Sequence, residues 1–203
     1  MMAIVDYGLG NIRAFLNIYR DLGVPTIVAV CSEELSKADK FILPGVGAFD
    51  HAMERLDGSG MRETLTELVI SRRAPVLGVC VGMQILANSS EEGTRAGLGW
   101  IAGTVRRIRF AAEAPGVLPH MGWNTVRSVT NSGIFSHVAS EAEFYFLHSY
   151  HFECADRNNV SAEASYSTTI TCAVNAGNVY GVQFHPEKSH HNGIQLLKNF
   201  ADL

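Results

Sequence analysis

Val76-Leu77-Gly78-Val79-Cys80-Val81-Gly82-Met83-Gln84 sets a buried strand, a thiol and the start of a helix within nine residues. The apolar run Val76–Val79 reads as an interior strand, and Val81 to Ala87 reads as a helix behind it. Gly-x-Cys-x-Gly is the thiol form of a nucleophile elbow. Glycines at 78 and 82 remove the side chains that would collide in so tight a turn. The Cys80 sulfur then stands at a helix N-terminus, where the backbone dipole favours thiolate. The Val81 N–H points at a developing oxyanion. The competing reading is a core cysteine behind a strand. Cys31, Cys154 and Cys172 lack these surroundings and read as structural.

Upstream of this stretch, strand and helix signals alternate. Ala3-Ile4-Val5, Ile27-Val28-Ala29-Val30 and Phe41-Ile42-Leu43 are short apolar runs. Asn11 can cap a helix through Ile12, Phe15, Leu16 and Tyr19, stopped by Gly23 and Pro25. Helical spacing recurs over Phe49–Leu56 and Met61–Ile70. Pro44-Gly45-Val46-Gly47 breaks the third run at the place where Cys80 emerges. Its glycines free backbone N–H groups to face a ligand, or it is a plain turn. Downstream, from Trp100 to Tyr180, short segments alternate apolar and polar residues: Thr104–Ile108, Asn124–Val129, Phe144–Leu147, Val160–Ser165, Ile170–Val174 and Val179–Phe184. A last helix spans Gly193 to Phe200, with Ile194, Leu196, Leu197 and Phe200 as its core contacts. The expected fold is α/β, flavodoxin-like and layered. A central, mostly parallel sheet is flanked by helices and carries an antiparallel extension.

His185-Pro186-Glu187 is the second chemical candidate. Pro186 holds His185 extended, which projects positions 185 and 187 to one side. A carboxylate beside an imidazole fixes its tautomer and supports the imidazolium formed when it takes a thiol proton. Residues alone leave this pair commonplace, since Cys80 lies 105 residues earlier.

The chain has 203 residues, 47% hydrophobic and 18% charged, which suits one domain over residues 1–203. Its net charge of −4 leaves no basic surplus to drive nonspecific binding to nucleic acid or an anionic membrane. Arg106, Arg107 and Arg109 form a local basic cluster, either a solvated strand face or a phosphate or partner contact. No stretch reaches the ~18 apolar residues of a membrane span. Four cysteines without a C-x-x-C pair fit a reducing, cytoplasmic setting. His190 and His191 are adjacent and point apart, so no metal site is expected, and no cofactor. His120 and His148 read as structural.

Cys80 in G-V-C-V-G-M-Q, with His185 and Glu187 in Q-F-H-P-E-K-S, resembles the triad class of glutamine amidotransferases. Five further segments are similar to the glutaminase subunits of imidazole glycerol phosphate synthases. These are Val5–Asn11, Leu43–Phe49, Ser90–Gly93, Pro119–Asn124 and Tyr145–Tyr150. The resemblance implies a Cys80–His185–Glu187 triad that hydrolyses L-glutamine to glutamate and ammonia. It implies an oxyanion hole from Val81, Val46 and Gly47, and substrate contacts at Gly45, Gln84, Ser149 and Tyr150. It further implies that ammonia passes to a (β/α)₈-barrel synthase subunit across a face holding Asn11, Trp123, Tyr145 and Lys188. From its residue type alone, Trp123 suits the core as well as an interface.

Two alternatives stand beside this. Close relatives of the subunit feed ammonia to sugar amidotransferases in surface-polysaccharide or flagellin-glycan synthesis. A cysteine hydrolase or peptidase on a similar elbow is the other, although residues 81–119 hold no histidine, where such folds usually place the catalytic one. A binding module with a vestigial site is disfavoured by the presence of all three triad residue types.

Overall fold

The computed structural model describes residues 1–129 and 133–203. The first half runs β1 (Met2–Val5), α1 (Ile12–Asp21), β2 (Thr26–Ala29), α2 (Ser32–Leu35), β3 (Lys40–Gly45), α3 (Phe49–Gly58), α4 (Arg62–Thr66), β4 (Val76–Cys80), α5 (Val81–Gln84) and β5 (Ser89–Ser90). The second half runs β6 (Gly103–Arg107), β7 (His120–Ser128), β8 (Ala142–His148), β9 (Tyr150–Cys154), β10 (Val160–Ser165), β11 (Thr169–Ala176), β12 (Val179–Val182) and α6 (His190–Asp202).

Nine strands form one sheet in the order β2-β1-β3-β4-β12-β11-β10-β7-β8. From β2 through β12 the neighbours are parallel; from β12 to β8 they are antiparallel. The change of character follows from burial. β1 and β4 are buried along their whole length, as strands covered by helices on both faces must be. β8 and β10 alternate, with Ala142, Phe144 and Phe146, and Val160, Ala162 and Ala164, facing inward. Helices cover the sheet through Phe15 and Tyr19 of α1, Phe49, Met53 and Leu56 of α3, and Leu196, Leu197 and Phe200 of α6.

The structure departs from the sequence reading at several points. Pro44 does not break the third strand. β1 pairs with β3 only as far as Ile42, so at Pro44 the strand has β4 alone as neighbour and a missing N–H is tolerated. The helix after Cys80 ends at Gln84 rather than Ala87. The carbonyls of Ile85, Leu86 and Ala87 are taken by the amides of Leu98, Ile101 and Gly99, which halts the ladder. Asn11 sits at the N-cap of α1 without a side-chain capping bond. Residues Glu67–Ser71 finish the 61–70 helix as a wider π turn. β5 and β9 went unread: β9 has Phe152 as its one fully buried apolar residue, and it joins β5 and β6 in a separate three-stranded sheet. α6 begins earlier than Gly193, and Ile194 faces solvent at 42% exposure.

Three glycines pack backbone against backbone where β3, β4 and α5 meet. A Cβ on Gly78 would lie 2.5 Å from the Gly82 oxygen, and one on Gly45 would lie 2.5 Å from the Gly82 nitrogen. A Cβ on Gly82 would collide with the Leu43 carbonyl. Gly82→Ala should therefore cost about 3 kcal/mol or more in urea unfolding. Gly58→Ala, at the open end of α3 with no atom within 4 Å, should gain roughly 0.5 kcal/mol. Similar values for the two variants would contradict this account of the packing.

Candidate active site

β4 delivers Cys80 to the carboxyl edge of the sheet with φ +57° and ψ −114°. A non-glycine residue there costs roughly 1–3 kcal/mol, held in place by the packing around it. The glycines on either side supply that packing. Next in the sheet, β12 runs parallel to β4 with Val182 level with Val79. The chain beyond Val182 therefore passes beside Cys80, carrying Gln183 and His185.

His185 is clamped through its backbone. Its N–H donates to the Tyr145 carbonyl at 2.8 Å, and its carbonyl accepts from the Ser189 hydroxyl at 2.6 Å. Its Nδ1 lies 2.9 Å from Glu187 Oε1, and both side chains are buried. The contact does not come from an extended segment. Pro186–Lys188 forms a 3₁₀ turn, and that turn folds the carboxylate back under the ring. With Nδ1 committed to Glu187, the other ring nitrogen is left for Cys80, whose sulfur is near enough to raise the His185 pKa. Burial pulls the His185 pKa down, but the bonds to Cys80 and Glu187 and their charges outweigh it, and it is pushed up to about 9.

These groups border a cavity of about 290 Å³. Val46, Gly47, Cys80, Val81, Gln84, Ser149, Tyr150, His185 and Lys188 all line it. Gly45 does not: it is buried beneath, against Gly82. Glu187 sits behind His185, outside the lining. Gly47 has φ +93°, which glycine alone adopts cheaply. Two cavity-side residues escaped the sequence reading. Glu92 lines the cavity and accepts from the Phe49 N–H at 2.8 Å. Gln183, fully buried, donates its side-chain amide to the Cys80 sulfur at 3.8 Å. The Gln183-Phe184-His185 run was the available signal.

One wall of the cavity rests on a histidine relay of fixed direction. The Tyr150 carbonyl can only accept, so His148 Nδ1 carries a proton toward it at 2.8 Å. His148 Nε2 then accepts from His120 Nδ1 at 2.9 Å, and His120 Nε2 accepts from Asn124 Nδ2 at 3.2 Å. His120 is stacked between Phe146 and Tyr166. Burial pulls His120 down to about 4. It pulls His148 to about 3 against the opposing bond to Tyr150.

Beside the cavity, Trp123 lies parallel to His190 at 5.1 Å and edge-on to Tyr145 at 6.1 Å. Lys188 Nζ sits 5.7 Å from the Tyr145 ring centre. Trp123 is 46% exposed, a surface aromatic and not a core one. Asn11 is exposed. A larger groove of about 980 Å³ lies along Arg106, Arg107, Arg109 and Arg157. Arg106 pairs with Glu91 and Glu153, Arg109 with Glu91, and Arg157 with Glu163. That neutralisation fits the solvated strand face.

A parallel α/β sheet thus sets a thiol on a glycine-packed elbow beside a histidine–carboxylate pair that follows the neighbouring strand. Residues 3–203 match the model of the "Glutamine amidotransferase class-I" family. "Imidazole glycerol phosphate synthase subunit HisH" of Bdellovibrio bacteriovorus is 56% identical, with 100% of each chain covered. The protein of the same name from Leptospira interrogans is 50% identical over 100% of each chain. A solved glutamine amidotransferase superposes with TM-score 0.76 at 16% identity, covering 100% of this chain and 99% of the other, which shows the shared fold. The chain belongs to the class I glutamine amidotransferase family, in the group of the imidazole glycerol phosphate synthase subunits HisH.

The paired histidine environments set opposite pH limits. Unfolded, His120 and His148 take protons below about pH 6.5; folded, not until about 4 and 3. The unfolded state binds more protons across that window, so stability present above pH 6.5 is lost as pH falls through it. His185, raised to about 9, contributes stability that is complete below pH 6.5 and lost as pH rises through 9. Urea unfolding should show a maximum near neutrality, and His120→Phe should flatten the acid limb. An acid limb of wild-type slope in that variant would refute the relay's contribution.

Proposed function

We propose that this chain is a glutaminase that splits L-glutamine into glutamate and ammonia on Cys80, His185 and Glu187. It hands the ammonia to a (β/α)₈-barrel synthase subunit as part of an imidazole glycerol phosphate synthase in histidine biosynthesis. The observation that carries the reading is that Cys80 and His185 line one 290 Å³ cavity, with His185 hydrogen-bonded to Glu187 behind it. The names of the full-length relatives support the pathway.

The chemistry is written as follows. The Cys80 thiolate attacks the side-chain amide carbon of glutamine, and its carbonyl oxygen becomes an oxyanion. The Val81 N–H and the Val46–Gly47 backbone stabilise that charge. The C–N bond breaks as nitrogen takes the proton of the His185 imidazolium, releasing ammonia and leaving a thioester. His185, now neutral, takes a proton from water as the water attacks. The C–S bond then breaks, glutamate leaves and the thiolate returns. Glu187 holds His185 in one tautomer and favours its imidazolium. Ser149, Tyr150 and Gln84 flank the amino-acid head group, and the Glu92 carboxylate complements its ammonium.

The partner face surrounds the cavity mouth. Met121 and Leu147 are cross-strand neighbours on β7 and β8, both exposed, and Leu147 also lines the cavity. With Trp123, Tyr145, Lys188 and Asn11 they give an apolar and aromatic centre with polar edges, the composition of an interface core and rim. Residues 1–203 act as one domain, in the cytoplasm. Among the described residues no helix is long and apolar enough to cross a membrane.

Cys80→Ala should abolish glutamate release, measured on the purified chain with its barrel subunit and ribotide ligand. Glu187→Gln should lower kcat roughly 10- to 100-fold and bring the His185 titration to lower pH, read by imidazole NMR. Adding the liganded barrel should raise glutamate release severalfold, since the Val46–Gly47 backbone needs to present an N–H to the cavity. Undiminished turnover by Cys80→Ala would end this reading. Peptide cleavage without glutaminase activity would replace it with the peptidase one.

A further inference from the structure

Gln183 is a fully buried primary amide, and burying one is costly unless its hydrogen bonds are made. Its backbone is set by the sheet: the Gln183 N–H donates to the Cys172 carbonyl at 2.8 Å, one step beyond the register of β12 with β11. Its side-chain oxygen accepts from Gln84 Nε2 at 3.0 Å, while its own Nε2 lies 3.8 Å from the Cys80 sulfur. Gln84 Nε2 also donates to the Tyr150 carbonyl at 3.4 Å, which uses both of its hydrogens.

These bonds have one consistent direction. A backbone carbonyl can only accept, so the Tyr150 oxygen fixes the NH₂ end of Gln84. That NH₂ in turn requires the oxygen of Gln183, and the NH₂ of Gln183 is left facing sulfur. The reverse orientation would turn an amide oxygen toward a thiolate and an NH₂ toward an NH₂.

Resting on the reading of Cys80 as the nucleophile, we propose that Gln183 is a positioning residue for it. Its amide donates a second hydrogen bond to the sulfur alongside that of His185, and Gln84 holds the amide in that orientation. The two donors differ in kind. His185 moves its proton to the departing nitrogen and loses its grip on the sulfur in doing so. Gln183 transfers no proton, so its bond persists while the imidazole is engaged elsewhere. It also stabilises negative charge on the sulfur without contributing a charge of its own to the cavity.

The test is the pH profile of Cys80 alkylation by iodoacetamide in the intact chain, followed on the Cys80 peptide by mass spectrometry. Gln183→Leu should slow alkylation at pH 7 about 3- to 10-fold, the worth of one net hydrogen bond, and move the profile to higher pH. Gln183→Glu keeps an acceptor for Gln84 but faces sulfur with a carboxylate, and should slow it further. Gln84→Leu should shift the profile the same way by a smaller amount. A purely structural role would lower the melting temperature and leave the profile in place. A folded Gln183→Leu with the wild-type profile overturns the proposal. Should that variant not fold, Gln84→Leu decides, and an unmoved profile again overturns it. Glutamate release by Cys80→Ala separates the two levels. If it is lost while the alkylation profile of Gln183→Leu is unmoved, the positioning role alone fails. If it persists, the nucleophile reading fails and the positioning role with it.

Discussion

Between β3, β4 and the turn that follows Cys80 there is no space for a side chain. Gly45 and Gly78 each stand so close to Gly82 that an added Cβ would come within 2.5 Å of its backbone, and Gly82 itself lies against the Leu43 carbonyl. This contact lets the chain reverse in two residues and holds Cys80 at φ +57°. A side chain at any of the three positions would push the turn off the strand beneath it. Cys80 would then relax toward ordinary backbone, and the sulfur would leave the edge of the cavity. The strain at Cys80 is affordable because the surrounding backbone is packed too closely to move.

That same contact explains which parts of the molecule were legible in the sequence. Glycines at 78 and 82 around a cysteine have few other uses, so the elbow could be read from one stretch. The buried parallel strands were legible because both faces are covered and their apolar runs are continuous. Pro44 misled because a proline's effect depends on which neighbours the strand has at that point, and β1 ends before it. The length of α5 misled because loop amides from 98 to 101, distant in sequence, claim the carbonyls the helix would have used. β9 was invisible because Phe152 alone is fully buried in it. Each miss lies where tertiary partners override a local preference.

The site shows the same division. The spacing of His185 and Glu187 suggests a pair in extended geometry, whereas a 3₁₀ turn makes the contact. Two residues apart suffices for either conformation, so spacing alone cannot discriminate between them. Gln183 and Glu92 lie inside the quoted segments Q-F-H-P-E-K-S and Ser90–Gly93, but residue type alone assigned neither a place at the cavity. A glutamine after a strand and a glutamate in a loop carry no pattern until β12 is placed beside β4, and residue 92 beside Phe49.

Burial lowers the pKa of all three histidines around one small cavity, and partners decide the outcome. His120 and His148 have neutral partners, so desolvation prevails and both stay uncharged. His185 is buried as well, yet a carboxylate and a thiol reverse the result. The relay through His148 can only work with neutral rings, because protonating either would set N–H against N–H. The chemistry proposed for His185 needs the opposite, an imidazolium ready to give its proton away. A cavity wall that stays neutral preserves the low-polarity surroundings in which the His185 charge is most strongly felt by Cys80. Keeping His148 uncharged is therefore part of keeping His185 charged: a second imidazolium against the same cavity would repel the first and lower its pKa.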